Sequence, residues 1–440
     1  MKNTLKPYDE YRVVNALWLN EIPFHWNCEK LGMRFRERRI KVSDKDFAPL
    51  SVTKNGIVPQ LATAAKTNDG DNRKLVKIGD FVINSRSDRK GSSGLSIYEG
   101  SVSLINTVLK PVDISPKYTH YLLKSYGFIE EFYRNGRGIV ADLWTTRYCD
   151  MRNINIPLPS QSEQDHIAKY LDWKLSKINK FIKSKKKQIE LLKEQKEVII
   201  NQAVTKGLNP NVKMKSSGIE WLGDIPETWD ICKLRNLGTF KSGTNLTSLE
   251  IDNQGPFPVY GGNGLRGYYN NYSHTGVYLL IGRQGALCGN VHLVSGAFWA
   301  TDHAVVVTVK DNIDIKWAEY MLKVMNLNQY SLSAAQPGLS VERITNISTI
   351  LPNVTDQIKI ANYIESKVKP INKAIEKISK EIELITEYRT TLISDVVIGK
   401  VDVRNVTIEN YPDEDIDLEE IDDESDDEIM DEEELDIEEV

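Results

Sequence analysis

The 440-residue sequence lacks the features that mark membrane and secreted proteins. No run approaches the length of about 18 apolar residues that a membrane-spanning helix needs, so we expect no membrane partner. The first residues, M-K-N-T-L-K-P-Y-D-E-Y, contain no apolar core of a signal peptide. We therefore expect the chain to remain in the cytoplasm.

Cysteine and histidine are scarce and scattered. The four cysteines are Cys28, Cys149, Cys232 and Cys288, and no two form a C-x-x-C pair. This pattern predicts free thiols in a reducing compartment, not a disulfide framework or a zinc site. No H-E-x-x-H sequence is present either, so we expect no bound metal.

Motifs of nucleotide and methyl-transfer chemistry are also missing. No G-x-x-x-x-G-K-[ST] loop occurs, which excludes an ATP-driven motor of that kind. No two prolines are adjacent, which excludes the Asn-Pro-Pro-aromatic motif of amino-methyltransferases. The neighbours Asp302 and His303 have no nucleophile or ligand set beside them, and we interpret them as a structural hydrogen bond. We predict no catalytic residue and no cofactor in this chain.

The two signs of charge are unevenly distributed. Residues 405–440 contain 20 acidic residues and no lysine or arginine, so residues 1–404 carry the other 42 acids against all 56 bases, a net charge of +14. A basic body suits a polyanionic partner, although ordinary surface lysines give the same count. We predict that Pro412–Val440 is disordered and solubilising. A sharper alternative is that this tail competes with DNA for the basic body.

Two sequence motifs occur twice. W-L-N-E-I-P-F-H-W at Trp18–Trp26 returns as W-L-G-D-I-P-E-T-W at Trp221–Trp229, and the Lys-Leu pair that follows at residues 30–31 returns at 233–234. L-P-S-Q-S-E-Q-D-H-I-A-K-Y-L-D from Leu158 returns as L-P-N-V-T-D-Q-I-K-I-A-N-Y-I-E from Leu351. Such repeats predict that one scaffold is built twice.

Both copies of the second motif begin like helices. Ser160 and Glu163 form a capping box, Asn353 and Asp356 form a looser one, and the preceding proline discourages an earlier start. Apolar residues then alternate at spacings of four and three for about 40 residues, a heptad pattern that predicts rods of roughly 60 Å. We expect the helices to pair with each other, although each could instead pack on its own domain. The seam residues expected to bind the other helix and partner subunits are Ile178, Ile182, Ile189, Ile371, Ile375 and Ile382.

The predicted fold is mixed α/β with a pseudo-twofold internal repeat. Two globular domains are separated by two long helices that pair as an antiparallel coiled coil. The segments between the repeated motifs diverge, so we expect one scaffold with two different surfaces. The boundaries are residues 1–157 for the first domain, 158–206 for the first helix, 207–351 for the second domain, 352–404 for the second helix and 405–440 for the tail.

Short β runs in both domains are interrupted by glycine-rich polar turns. Strands are predicted at Phe81–Ile83, Val277–Ile281 and Ala304–Val309. Arg, Asn and Gln in the turns suit the reading of base edges, and Lys or Arg would neutralise phosphates, although polar turns are common on any surface. The candidate DNA contacts are Arg86, Arg89, Lys90, Arg137, Asn263, Arg266, Arg283, Gln284 and Gln336.

The sequence resembles the specificity (S) subunits of type I restriction–modification systems. The resemblance covers about residues 6 to 404, with several motifs recurring twice in the same order. The segments that carry it are K-P-Y-D-E-Y from Lys6, the two W-L-x-[ED]-I-P-x-x-W motifs, S-G-I-E from Ser217, the two L-P…Q…I-A-x-Y-[LI] helix starts and A-V-T-K-G-L from Ala203.

The resemblance implies a function in DNA recognition. Each globular domain would be a target recognition domain that reads one half of a bipartite site in double-stranded DNA. The helices would act as a ruler and would dock two methyltransferase (M) subunits, which methylate adenine with S-adenosylmethionine. Motor-nuclease (R) subunits would add ATP- and Mg-dependent cleavage. The S chain itself would be non-catalytic.

Two other classes of protein stay open on the sequence. A coiled-coil scaffold for a DNA-processing assembly would bind DNA in a salt-dependent way without base discrimination. A chain with a hidden nuclease or methyltransferase would be active without M subunits, and the missing motifs count against it.

Overall fold

The computed structural model describes residues 5–61, 70–138, 144–285, 287–331 and 338–409. The chain forms two compact units, one of Met1–Lys185 with Glu381–Val440 and the other of Lys186–Lys380. Each unit thus combines one globular segment with one half of each of two long helices. The predicted tail from residue 410 onward and Gln336 lie outside the described residues.

The globular segment of the first unit contains thirteen short strands and four helices within its described residues. The strands are β1 Tyr11–Val13, β2 Glu21–Pro23, β3 Asn27–Lys30, β4 Phe35–Glu37, β5 Lys41–Val42, β6 Leu50–Thr53, β7 Gly56–Pro59, β8 Arg73–Val76, β9 Phe81–Asn84, β10 Ser93–Leu95, β11 Gly100–Val102, β12 Asn106–Pro111 and β13 Asn155–Leu158. The helices are α1 Leu31–Arg34, α2 Pro116–Leu123, α3 Tyr126–Arg134 and α4 Tyr148–Met151.

Two small sheets form the centre of this segment. One has the strand order β10-β9-β12-β4 and the other β11-β8-β5, with antiparallel neighbours throughout. Strand β9 confirms the strand predicted at Phe81–Ile83, and all four of its residues are buried. Helices α2 and α3 bury aromatic side chains in the same core, among them Tyr118, Phe128 and Phe132.

The globular segment of the second unit is organised around one larger sheet. Its strands are β14 Met214–Ser216, β15 Asp224–Pro226, β16 Asp230–Lys233, β17 Gly238–Ser242, β18 Phe257–Gly261, β19 Gly264–Tyr269, β20 His274–Gly282, β21 Val291–Ala300, β22 Ala304–Val309 and β23 Ser348–Leu351. Its short helices are α6 Ile315–Val324 and α7 Val341–Thr345, and the long helices of the chain are α5 Gln161–Lys206 and α8 Val354–Val397.

The six-stranded sheet has the order β17-β22-β20-β21-β18-β19. Its neighbours are antiparallel, apart from the parallel pair β18 and β21. Strands β20 and β22 confirm the strands predicted at Val277–Ile281 and Ala304–Val309. The predicted mixed α/β fold is confirmed, while the two globular segments carry sheets of different size and order.

The repeated motifs form the same frame in both units. Strand β3 pairs antiparallel with β13, and β16 pairs antiparallel with β23. Each globular segment therefore begins and ends on one strand pair, immediately before a long helix. The hairpins β1–β2 and β14–β15 repeat in front of these pairs. The unlike sheets are insertions between the two strands of each frame.

A buried glutamine explains one identity of the repeat. The side-chain amide of Gln164 donates to the carbonyl of the proline in the L-P motif, and its oxygen accepts from the backbone amide of Ser115 at 2.9 Å. Gln357 makes the same two contacts in the second unit, with the amide of Asp314 at 2.8 Å. Ser115 and Asp314 immediately precede α2 and α6. One side chain therefore joins the start of a long helix to the start of a domain helix.

The long helices pair in opposite directions. In the first unit, Ile178 and Ile182 of α5 share a core with Leu392 and Val396 near the end of α8. In the second unit, Ala203 and Val204 near the end of α5 share a core with residues 360–368 near the start of α8. The predicted antiparallel pairing is thus confirmed. No helix in the described part of the chain is long and apolar enough to cross a membrane.

The tryptophan that ends the first motif has a different environment in each unit. In the first unit, the carboxylate of Glu163 accepts from Tyr8 Oη at 2.8 Å and from Trp26 Nε1 at 3.1 Å, and lies 3.0 Å from His25 Nε2. Burial, followed by the charge of Glu163, raises the pKa of Tyr8. In the second unit, Trp229 and Asp356 line a cavity of about 370 Å³.

The predicted helix caps are partly present. Ser160 Oγ accepts from the amide of Glu163 at 3.4 Å, and Asn353 Oδ1 accepts from the amide of Asp356 at 2.9 Å. The carboxylate of Glu163 contacts Tyr8, His25 and Trp26, so a sequence capping signal serves tertiary packing as well.

Candidate nucleic-acid interface

Two of the predicted DNA contacts in the first unit pair through their backbones with the same residue. Arg86 and Arg137 both form β-bridges with Thr145, and the backbone amides and carbonyls of Arg137 and Thr145 exchange two hydrogen bonds of 3.0 Å. The amide of Arg86 is also fixed by Asn84 Oδ1 at 3.1 Å. Both arginine side chains are exposed. The fold therefore brings together two cations that are 51 residues apart in sequence.

A cavity of about 520 Å³ lies next to Arg86. Three further cationic side chains line it, those of Arg39, Lys74 and Arg147, together with Glu37. Arg39 is 75% exposed and pairs with Glu37 at 2.6 Å, and Lys74 Nζ lies 3.5 Å from the same carboxylate. Four cations around one concavity suit the binding of phosphate oxygens.

Arg39 was not predicted, because it ends the run R-F-R-E-R-R of residues 34–39, whose members have different roles in the fold. Arg38 pairs with the buried carboxylate of Asp80 at 2.6 and 2.9 Å. Arg34 makes two hydrogen bonds to Glu29, at 2.8 and 3.0 Å. The run signals basic character, but only the partners in the fold separate structural from exposed arginines.

Three candidates of the first unit take part in ion pairs. Lys90 Nζ lies 2.6 Å from Glu130 and 5.8 Å from the centre of the Tyr133 ring. Arg89 lies 3.9 Å from Asp88. Arg137 Nε lies 3.1 Å from Asp150, with 85% of the arginine side chain exposed. The pairs of Arg89 and Lys90 are exposed on both sides and contribute about 0–1 kcal/mol each, so phosphates can replace their carboxylates at little cost. The Asp150 carboxylate is only 8% exposed, so the pair of Arg137 is not of this kind.

Three predicted residues of the second unit are grouped by two turns beside the six-stranded sheet. The turn after β18 carries Asn263, and the segment after β20 carries Arg283 and Gln284. The turns are in contact, because a Cβ at Gly262 would lie 3.0 Å from the carbonyl oxygen of Gln284. A larger residue at Gly262 would press against this carbonyl, so glycine suits the place where the two segments meet.

Hydrogen bonds hold these side chains in place. Arg283 Nη1 donates to Ser242 Oγ at 3.2 Å, and Asn290 Nδ2 donates to Asn263 Oδ1 at 3.3 Å. Gln284 forms a β-bridge with Gly338 and is exposed. Ser242 and Asn290 were not predicted from the sequence. Their only signal was a position in a glycine-containing turn.

Of the other two candidates of this unit, only Arg266 lies among the described residues. Arg266 lies in β19 with its side chain exposed, and its aliphatic part covers Gly261. Gln336 lies outside the described residues, so its placement stays a prediction.

The predicted hydrogen bond between Asp302 and His303 is wrong. The nearest side-chain atoms, His303 Nε2 and Asp302 Oδ1, are 3.9 Å apart, which exceeds hydrogen-bond distance. Both side chains are partly exposed. Instead, the backbone carbonyl of His303 accepts from the amide of Arg283 at 2.8 Å. His303 thus positions the backbone of a candidate DNA contact.

The cysteines are free, as predicted. Burial raises the pKa of the thiols of Cys28, Cys232 and Cys288, which keeps them protonated at neutral pH. Among the described residues, no group of three or more His, Cys, Asp or Glu side chains could hold a metal ion.

The six seam isoleucines face the interior to different degrees. Ile178 and Ile182 are 5% and 3% exposed in the core of the first unit, so they pack within the chain itself. Ile371 is 9% exposed, and Ile189, Ile375 and Ile382 are partly buried. Contact of these residues with a partner subunit stays a prediction.

Comparison with known proteins points to a single group. The family described as type I restriction modification DNA specificity domain matches residues 226–384. The EcoprrI specificity subunit of Escherichia coli is 48% identical over 124 residues, which cover 28% of this chain and 31% of that protein. The chain thus matches about a third of the length of that relative.

Two longer matches extend over most of the chain. The MjaVIII specificity subunit of Methanocaldococcus jannaschii is 25% identical over 425 residues, covering 87% of this chain and 94% of that protein. A chain solved in a study of complex assembly and conformational transition of the type I R-M system superposes with a TM-score of 0.67. That match has 12% identity and covers 86% of this chain and 99% of the other, so it shows a shared fold.

Proposed function

We propose that the chain is a specificity subunit of a type I restriction–modification system and that it reads the DNA sequence on behalf of such a complex. One observation carries the proposal. The frame of β3 with β13 recurs as β16 with β23, but it holds two unlike sheets. A duplicated frame with different inserts suits a subunit that meets similar partners twice and two different DNA half-sites.

In this proposal each globular segment reads one half of a bipartite site. Arginine can make two hydrogen bonds to guanine O6 and N7 in the major groove, and Asn or Gln can make two to adenine N6 and N7. Arg283, Gln284 and Asn263 supply these groups in the second unit, and Arg86 and Arg137 supply them in the first.

Phosphate contacts would fix each domain on the duplex. Three cations that line the cavity beside Arg86, those of Arg39, Lys74 and Arg147, suit this purpose. Such contacts set register and orientation without selecting a base. We therefore assign these three cations to phosphates, and Arg86 with Arg137, at the Thr145 edge of the same concavity, to base reading.

We infer that the long helices set the distance between half-sites and dock two M subunits through their exposed flanks. Helices of 46 and 44 residues are about 66–69 Å long at 1.5 Å per residue. Half-sites read from one face of DNA lie about 34–36 Å apart or at multiples of that distance. The helices are long enough for the one-turn spacing.

The chemistry would come from the partner subunits. We propose that M subunits bring S-adenosylmethionine and methylate adenine, and that R subunits bring ATP and Mg for cleavage. This chain would be the non-catalytic member of the complex, acting in the cytoplasm on double-stranded DNA.

Co-expression with the cognate M subunit, followed by genome-wide mapping of methylated adenine, tests the proposal. We expect one bipartite motif with a fixed gap, and none when the M subunit is expressed alone. A stable complex of the two chains that methylates no motif would contradict sequence reading and would favour a scaffold without base preference.

A further inference from the structure

Helix α5 carries an unbroken run of positive charge. Between Asp172 and Glu190 it has seven lysines and no acidic residue. We use the name lysine run for the four of them that lie well within the first unit. They are Lys174, Lys177, Lys180 and Lys183. The last three are exposed, while the isoleucines between them are buried against α8.

The C-terminal end of the described chain packs beside this helix. After α8, the chain buries Val403 completely, and His166 Nε2 on α5 lies 2.8 Å from the carbonyl oxygen of that residue. Val406 and Ile408 then pack against the core of the first unit. These contacts fix the course of the chain up to Glu409.

The last described residue already contacts the lysine run. The carboxylate of Glu409 forms an ion pair with Lys177 Nζ, which also lies 4.3 Å from the centre of the Trp173 ring. The hydrogen bond and the charge of Lys177 lower the pKa of Glu409. The described chain therefore ends beside the lysine run. Glu409, the first acidic residue after Arg404, is already paired with a lysine of that run.

The sequence after Glu409 has a charge opposite to that of the lysine run. Residues 410–440 contain 19 acidic residues and no lysine or arginine. A segment of 31 residues can extend to about 100 Å, whereas Lys174–Lys183 covers about 14 Å of helix. Tethering beside the target gives a high effective concentration, which favours the intramolecular contact over a free polyanion of similar charge.

We propose that residues 410–440 bind the lysine run of α5 in the same chain, as an internal polyanion that competes with nucleic-acid phosphates for these lysines. The bound tail would keep random-sequence DNA off this part of the helix and would leave the candidate base-reading surfaces uncovered. The proposal does not depend on which bases, if any, the two globular segments read.

Zero-length carbodiimide cross-linking of the full chain tests the contact directly. The reagent joins lysine amines to carboxylates in contact, and trypsin leaves residues 405–440 as one peptide because nothing after Arg404 is lysine or arginine. We expect links from this peptide to Lys180 and Lys183 at low salt. We expect the links to be lost at about 1 M salt, where screening acts over about 3 Å.

Two full-length variants provide the matched comparison. Lys180→Gln with Lys183→Gln should remove most of the links that the 405–440 peptide forms with residues other than Lys177. Lys373→Gln with Lys377→Gln, two exposed lysines of α8, should leave the pattern unchanged. Links spread evenly over the lysines of the chain, or no links to the tail peptide, would overturn the proposal.

Competition is measured with random-sequence duplex DNA. A full-length variant with the 19 acids of residues 410–440 changed to their amides should bind on the order of tenfold more tightly at low salt. Adding Lys180→Gln and Lys183→Gln should remove most of that gain. Equal affinity of the wild-type and neutralised-tail chains would show that the tail does not compete.

Discussion

At the scale of single residues, Arg283 is the candidate DNA contact with the best-defined surroundings. Its amide bonds to the carbonyl of His303, and its guanidinium bonds to Ser242. Arg283→Ala should cost about 1–3 kcal/mol of discrimination at one base pair, because it removes the proposed bidentate contact to guanine. We expect competition binding with altered duplexes to show relaxed recognition at one half-site only.

Arg86→Ala is the reciprocal control for that variant. It lies in the first unit, so it should weaken recognition of the other half-site and leave the half-site of Arg283 unchanged. Equal losses at both half-sites for either variant would contradict separate reading by two domains.

Glu163 tests the role of the repeated tryptophan motif. Glu163→Ala removes the acceptor of two buried donors, Tyr8 Oη and Trp26 Nε1, and each unsatisfied donor costs about 1–3 kcal/mol. We therefore expect the free energy of unfolding to fall by about 2–5 kcal/mol in urea titrations followed by tryptophan fluorescence.

Asp356→Ala is the matched control because Asp356 occupies the same place in the repeat. Its carboxylate bonds to the exposed side chain of Asn353, so we expect a loss below about 1 kcal/mol. Equal destabilisation by the two variants would mean that the donors of Glu163 find other partners.

Single residues also show where sequence-based prediction ends. Polar glycine turns pointed to Asn263, Arg283 and Gln284, and the fold places these three together. It also joins Arg86 to Arg137 through Thr145. Which arginines are free to contact DNA depends on long-range pairing, which the sequence does not show. Arg38 and Arg39 are adjacent in sequence, yet Arg38 is bound to Asp80 and Arg39 is exposed.

At the scale of elements, α8 continues through Pro370 in its interior. A proline there removes one backbone hydrogen bond and crowds the preceding turn, at a typical cost of about 3 kcal/mol. The equivalent residue of α5 is Lys177, so the frame tolerates an ordinary residue at this place. Pro370→Ala should raise the free energy of unfolding by about 1–3 kcal/mol in urea titrations.

An exposed lysine of the same helix serves as the comparison. Lys373→Ala should change the free energy of unfolding by less than about 0.5 kcal/mol. Destabilisation by Pro370→Ala would instead show that the proline itself is needed to seat the neighbouring Ile371.

The elements that were predicted have long or strong patterns. Heptads predicted both long helices, and continuous apolar runs predicted β9, β20 and β22. The frame strands β3 and β16 were not predicted, because four residues with partly exposed side chains carry little periodic signal. The bridging role of Gln164 and Gln357 was also not predicted, since its partners lie 43–49 residues away.

At the scale of the whole molecule, the net charge of +14 on residues 1–404 predicts steep salt dependence. With about 6–10 phosphate contacts, affinity for random duplex should fall roughly 10³–10⁵-fold between 50 and 200 mM salt. Binding isotherms over a salt series give the slope. A slope near zero would contradict phosphate contacts as the source of non-specific affinity.

The sequence repeat predicted the duplicated frame but not the two sheets that the frame holds. Shared ends indicated two copies of one frame, and the fold confirms two copies. The different sheets in between had no shared sequence to indicate their order. Their strand orders depend on contacts between distant segments, such as the parallel pair β18 and β21, and no local pattern encodes these.

The frame has a consequence for inheritance. The two ends of each insert leave neighbouring strands, so a different insert can take its place without moving the long helix that follows. The matching protein motifs on either side also imply related stretches in the gene, where recombination can exchange one insert for another. A lineage could then acquire a new target in a single genetic event while keeping the surfaces that its partner subunits already fit.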